Sequence, residues 1–256
     1  MRLPVARSVA SRLVEVPETG STNADLREHA GDVGAWPHLS VLVTDHQTAG
    51  RGRLDRSWSA PAGASVAISV ILRELPAARE AWGWIPLAAG VAMTDAVAAQ
   101  LPGRSVELKW PNDVLADGGK ICGILAEVAS DAVIVGAGVN TAMAREQLPV
   151  ATATSFAALG AEADVDRLLA DYLRRLDALV SAMASRGDAV SSGVHAAVVE
   201  RCVTVGMDVA VTLPDGRTLT GTASEIDRDG RLVVVSGGEA QAVSAGDVVH
   251  VRPARA

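Results

Sequence analysis

Lysine and asparagine are scarce in this sequence, and the positions that keep them are its most informative feature. Among 256 residues and 23 basic side chains, Lys109 and Lys120 are the only lysines, and Asn23, Asn112 and Asn140 the only asparagines. Arginine serves wherever a generic positive charge suffices, so a retained lysine marks a place where a compact ammonium differs from a guanidinium fork. The segment Gln47-Thr48-Ala49-Gly50-Arg51-Gly52-Arg53-Leu54-Asp55-Arg56-Ser57-Trp58 alternates arginine with glycine. Bare backbone can approach a ligand there while guanidinium groups face phosphate or carboxylate. By itself the run also reads as a solvated loop, and it is neither a Walker loop nor a dinucleotide fingerprint. Lys109-Trp110-Pro111-Asn112-Asp113 stands at a strand end, where proline stops pairing and turns Asn112 and Asp113 outward; the same pair also makes an ordinary turn. Lys120 begins a run of apolar residues and fits either a functional ammonium or a snorkelling edge charge.

Two further segments are polar at places where ligands bind. Gly20-Ser21-Thr22-Asn23 opens a helix, with Thr22-x-x-Asp25 resembling a capping box, and such an N-terminus can hydrogen-bond a small polar ligand. Gly136-Ala137-Gly138-Val139-Asn140 ends an apolar strand, which turns Asn140 toward a pocket or into a simple left-handed turn. The five histidines have no Cys or Glu at ligand spacing, so no structural metal is expected.

The elements that must position these groups follow from periodicity. Strands are predicted at 12–16, 41–44, 106–109 and 132–139, the last nearly all apolar and so central in its sheet. Residues 65–72 alternate as a half-buried strand, and 114–115 with 121–128 flank an Asp117-Gly118-Gly119 hairpin turn. A short helix runs from Thr22 to about Ala30, a second spans 81–100, the strongest covers 165–185, and another covers 188–199. Residues 45–59 have no hydrophobic period and read as a long mobile loop without an apolar anchor. After Arg201 five short β runs, at 208–213, 218–226, 232–235, 240–243 and 248–251, are punctuated by Gly and Pro and suit a small barrel. The expected fold class is α/β (α+β), with a mixed-sheet domain at 1–200 and a β-barrel domain at 201–256.

Composition excludes several classes. With 49% hydrophobic and 21% charged residues the chain is globular. A net charge of −7 argues against nucleic-acid binding, which needs a basic face. Two distant cysteines and no signal peptide or membrane-length apolar stretch point to a reducing, cytoplasmic setting without membrane contact.

Taken in order, Gly20-Ser21-Thr22-Asn23, Gln47 with Gly50-Arg51-Gly52-Arg53 and Trp58, Lys109-Trp110-Pro111-Asn112-Asp113, Gly119-Lys120 with Gly123-Ile124, and Gly136-x-Gly138-x-Asn140 resemble the biotin protein ligases. The resemblance covers nearly the whole chain and implies a mixed-sheet catalytic domain followed by an SH3-like barrel. It implies an enzyme that joins biotin to ATP as biotinyl-5′-AMP and passes the biotinyl group to one lysine of a biotin carboxyl carrier protein domain. By the family's pattern Ser21, Thr22, Asn23, Gln47, Arg51, Gly52, Arg53, Lys120 and Gly123 bind biotin. Arg51, Arg53, Trp58, Asn112, Lys120 and Asn140 bind ATP or the adenylate. Lys120, Arg51, Asp113 and Lys109 carry the chemistry, Asp113 orienting the carrier lysine and Lys109 offsetting the pyrophosphate. Mg²⁺ enters with ATP, and the protein alone supplies no metal site. Asp55 departs from the glycine usual at that position and receives no role. About twenty residues before Gly20 are too few for a DNA-binding domain, so a ligase without repressor function is expected. The sister family that transfers lipoate or octanoate carries an Arg-Arg-x-Ser-Gly-Gly-Gly loop, absent here, and retention of Lys120, Asp113 and both loop arginines disfavours a non-enzymatic biotin binder.

Overall fold

The computed structural model describes residues 1–54, 56–213, 215–244 and 246–250. In chain order its elements are α1 (Pro4–Val9), β1 (Arg12–Glu15), α2 (Thr22–Glu28), β2 (Ser40–Thr44), β3 (Gly50–Arg51), β4 (Ser57–Trp58), β5 (Ser65–Leu72), α3 (Ile85–Ala98), β6 (Val106–Lys109), β7 (Asp113–Ala116), β8 (Gly119–Ala129) and β9 (Ala132–Asn140). There follow α4 (Val165–Arg186), α5 (Val194–Arg201), β10 (Asp208–Thr212), β11 (Thr218–Ile226), β12 (Leu232–Ser236), β13 (Glu239–Val243) and β14 (Asp247–His250).

Seven strands form one mixed sheet in the order β1-β2-β5-β9-β8-β7-β6, with β1 parallel to β2 and the remaining pairs antiparallel. The apolar run of β9 lies at the centre of this sheet, as its sequence requires. Asp117 and Gly118 both take positive φ, 47° and 77°, which is the backbone a tight hairpin between β7 and β8 demands. Strand β5 departs from expectation. All eight of its residues are buried, because α2 and the site's polar groups cover the face that alternation assigned to water.

Helix α4 buries Leu168, Leu169, Tyr172, Leu173, Leu176, Leu179, Val180 and Met183 along one stripe. The Asp164 side chain accepts from the Arg167 amide at its start, and Gly187 at φ 88° closes it. In α3, Pro86 sits in the first turn, where its missing N–H costs nothing. The helix expected at 188–199 begins later, at Val194, because the Asp188 carboxylate accepts from the amides of Val190 and Ser191 and holds a turn there.

The C-terminal strands form a five-stranded antiparallel sheet ordered β13-β12-β11-β10-β14; the final predicted strand is described through His250, and Val251 lies outside the described residues. This sheet does not stand alone. Val209, Val211, Ile226, Leu232 and Val234 share one buried apolar cluster with α3 and α4. The indoles of Trp84 and Trp110 donate to the carbonyls of Arg228 and Gly230.

Candidate active site

Two rows of the large sheet build the floor of a cavity. In the first row Ser69, Gly136 and Leu125 are paired across β5, β9 and β8; in the second, two residues along, Ala67, Gly138 and Gly123 are paired. Glu127 follows Leu125 on the same face of β8. Asn23, at the start of α2, lies over Gly136, where an added Cβ would stand 2.4 Å from its Oδ1. Trp58 lies over Gly138 and Gly123, where a Cβ would meet the indole at 2.5 and 3.3 Å. The glycines expected merely to end a strand therefore make room for an amide and an indole.

The polar end of the cavity is a neutral network. Gln47 Oε1 accepts from the Thr22 amide at 2.9 Å and from its hydroxyl at 3.1 Å. Ser69 Oγ lies 2.8 Å from Thr22 Oγ1 and donates to Asn23 Oδ1 at 2.6 Å. Three oxygen–oxygen contacts thus share two hydroxyl hydrogens, so the cluster is short of donors and matches a ligand that brings N–H groups. The expected capping box is not formed. The Ser21 side chain caps nothing, Asp25 takes the Thr19 hydroxyl, and Gln47 satisfies the helix start from the segment between β2 and β3.

The other end is charged. Lys120 Nζ is 2.6 Å from Asp113 Oδ1, an ion pair whose direction of approach leaves that oxygen without a hydrogen bond, and 5.9 Å from the Trp58 ring centre. Residues 45–59 contain a minimal hairpin of β3 and β4, and Trp58 anchors it, contrary to the expectation of an unanchored loop. Three arginines fasten it further. Arg51 pairs with Glu127 at 3.1 Å, Arg53 donates to Asn112 Oδ1 at 3.1 Å, and Arg56 forms a bidentate pair with Asp247 of β14 at 2.5 and 3.2 Å. Burial lowers the pKa of Arg53, with Asp113 and Asp247 opposing it. The hydrogen bond from Arg56 holds the Asp247 carboxyl below its ordinary range against partial burial, and Lys109 and Lys120 add to the shift.

Of the residues singled out from sequence, Ser21, Thr22, Asn23, Gln47, Arg51, Gly52, Arg53, Trp58, Asn112, Asp113, Lys120 and Gly123 line this one cavity. Asn140 and Lys109 do not line it. Buried Asn140 donates to the Thr154 carbonyl at 2.9 Å, fastening segment 152–154, which pairs with Lys120. Lys109 acts on Asp247 and His250 through its charge, and burial together with that charge lowers the His250 pKa. Asp55 lies outside the described residues. Sequence reasoning missed Ser69, Glu127 and Asp247. Two of them carried a signal, a polar residue interrupting an apolar strand; Asp247 carried none.

The biotin/lipoate A/B protein ligase family model matches residues 17–140, and the biotin protein ligase C-terminal domain model matches residues 205–251. The chain is 45% identical over 240 residues to the biotin–[acetyl-CoA-carboxylase] ligase of Mycobacterium tuberculosis (strain ATCC 25618 / H37Rv), covering 93% of this chain and 88% of that protein. It is 31% identical over 179 residues to the bifunctional ligase/repressor BirA of Escherichia coli (strain K12), covering 67% of this chain and 54% of that protein. The fold matches the solved Aquifex aeolicus biotin protein ligase in complex with biotin and ATP, with a TM-score of 0.77 at 24% identity over 95% of this chain and 100% of that one. The chain belongs to the biotin protein ligase family.

Proposed function

We propose that the protein activates biotin with ATP and transfers it to a lysine of a carboxyl carrier protein. It is an ATP-dependent biotin ligase. In the first step a biotin carboxylate oxygen attacks the α-phosphorus of ATP, and pyrophosphate leaves. In the second the carrier's ε-amine attacks the acyl carbon of biotinyl-5′-AMP, loses a proton and expels AMP. Neither step needs a protein nucleophile; both need two anions held together and water excluded from a labile anhydride.

One observation carries this reading: the Lys120 ammonium stands in one cavity between the donor-poor network of Thr22, Asn23 and Gln47 and the arginine hairpin. In this reading the network takes the ureido ring and Lys120 contacts the carboxylate and α-phosphate. Arg51 and Arg53 close over the adenylate, with Trp58 and Asn112 beside it. The buried indole Nε1 of Trp58, unpartnered among the described residues, is a donor in waiting. Asp113, already beside one ammonium, is suited to orient the incoming amine. Asn140 and Lys109 act from outside the cavity, Asn140 by supporting the Lys120 strand and Lys109 by its field at the pyrophosphate side.

Mg²⁺ would enter with ATP and would supply charge neutralisation for the leaving pyrophosphate. Asp113 and Asp247, the cavity's acids, are each already engaged by a cation. No helix among the described residues is long and apolar enough to cross a membrane, and the proposed setting is cytoplasmic, beside the carrier. The test supplies purified protein with MgATP, a biotin carboxyl carrier domain and either biotin or lipoate. Biotin should release pyrophosphate and label the carrier; labelling by lipoate alone would overturn the reading.

A further inference from the structure

Glu127 has no part in the chemistry above, yet its carboxylate receives three donors, two of them from the cavity-lining residues Asn23 and Arg51. Its Oε2 accepts from Asn23 Nδ2 at 2.8 Å and from Arg51 at 3.1 Å, and its Oε1 pairs with Arg27 of α2. A side-chain amide has two orientations that differ only in which end donates, and its partners decide between them. Asn23 Nδ2 meets two groups that only accept, the Glu127 carboxylate and the Leu125 carbonyl at 3.2 Å. Its Oδ1 is thereby turned to the other side, over bare Gly136, where Ser69 donates to it. The reverse orientation would set oxygen against a carboxylate and a carbonyl at once.

We infer that Glu127 is a positioning residue that fixes the Asn23 amide with its oxygen toward the cavity, so that the floor accepts the N–H groups of a cyclic urea. The inference rests on biotin being the ligand. Because Asn23 is buried, water cannot substitute for the missing acceptor.

Three variants test it, with biotin Kd read by titration calorimetry and KM and kcat by pyrophosphate release. Glu127→Lys puts a donor where the amide needs an acceptor, and should weaken biotin binding and raise biotin KM by about tenfold or more while kcat changes by less than about threefold. Glu127→Gln keeps an acceptor and should stay within about threefold of wild type. Glu127→Lys combined with Asn23→Asp supplies oxygen at both ends of residue 23, one for the new ammonium and one for the cavity, and should recover most of the lost affinity. Wild-type affinity in Glu127→Lys, equal damage in Glu127→Gln, or a double variant no better than Glu127→Lys would overturn the inference. Wild-type protein that fails to adenylate biotin would instead overturn the proposed function, so the two failures are distinguishable.

Discussion

The cavity's floor and its hairpin roof are held by different physics. The floor is backbone-paired strand and buried neutral groups, with Asn23 and Trp58 filling the space that a Cβ at Gly136 or Gly138 would take. The roof, outside the Trp58 anchor, is fastened by ion pairs of half-exposed arginines, Arg51 to Glu127 and Arg56 to Asp247. Water competes for exposed pairs and salt screens them, whereas a buried hydrogen bond has no substitute partner. On the proposed function, the floor would discriminate a ligand by shape and the roof would exchange its partners for the ligand's anions at small cost.

The largest effect should come from the group between the two. Lys120→Ala should slow biotinyl-AMP formation by a factor on the order of 10² or more, measured as pyrophosphate release, as when a charge aimed at developing negative charge is removed. Wild-type rates would return Lys120 to the role of an edge charge. The next effect belongs to the floor, where Gly136→Ala drives a methyl group into Asn23. It should cost about 1–3 kcal/mol of stability in denaturant unfolding and weaken biotin binding.

The roof should respond more gently. Arg56→Ala should change global stability by less than about 1 kcal/mol yet speed proteolysis within 45–59, and biotin should slow that cleavage in the wild type. Destabilisation equal to that of Gly136→Ala, or cleavage indifferent to biotin, would erase the distinction between floor and roof. The smallest effect concerns pH. The Asp247 carboxyl is held below its ordinary value by Arg56. Its contribution is therefore complete above about pH 3.9 and is lost as pH falls through the lowered folded value. The stability difference between wild type and Asp247→Asn should be small, shrink with added salt, and vanish at the acid end of the titration.

Much of the site was legible because its residues announce themselves locally. Glycine beside arginine, proline after a strand, and lysine in a chain that avoids lysine each mark a position without reference to distant residues. The fold was legible where one period dominates, as in α4 and β9. The errors have a common cause. Strand β5 was assigned a wet face because alternation does not reveal that α2 covers it. The Thr22 capping box failed because Gln47, 25 residues away, outcompetes a local side chain for the helix start. The 45–59 loop was denied an anchor because Trp58 is isolated in sequence and meets its glycines only through the pairing of β8 with β9.

The sequence by itself determined the family, its reaction and most of the residues that line the cavity, since these depend on residue type and order along the chain. Tertiary structure alone decided which polar atoms face one another. The C-terminal sheet brings Asp247 to Arg56, and in the large sheet register sets Ser69 beside Gly136 and Gly138 beside Gly123, where the Asn23 amide and Trp58 are seated. A one-residue slip in pairing would reverse every one of these faces, and no local pattern encodes contacts that chain separation and a sheet's alternation settle together.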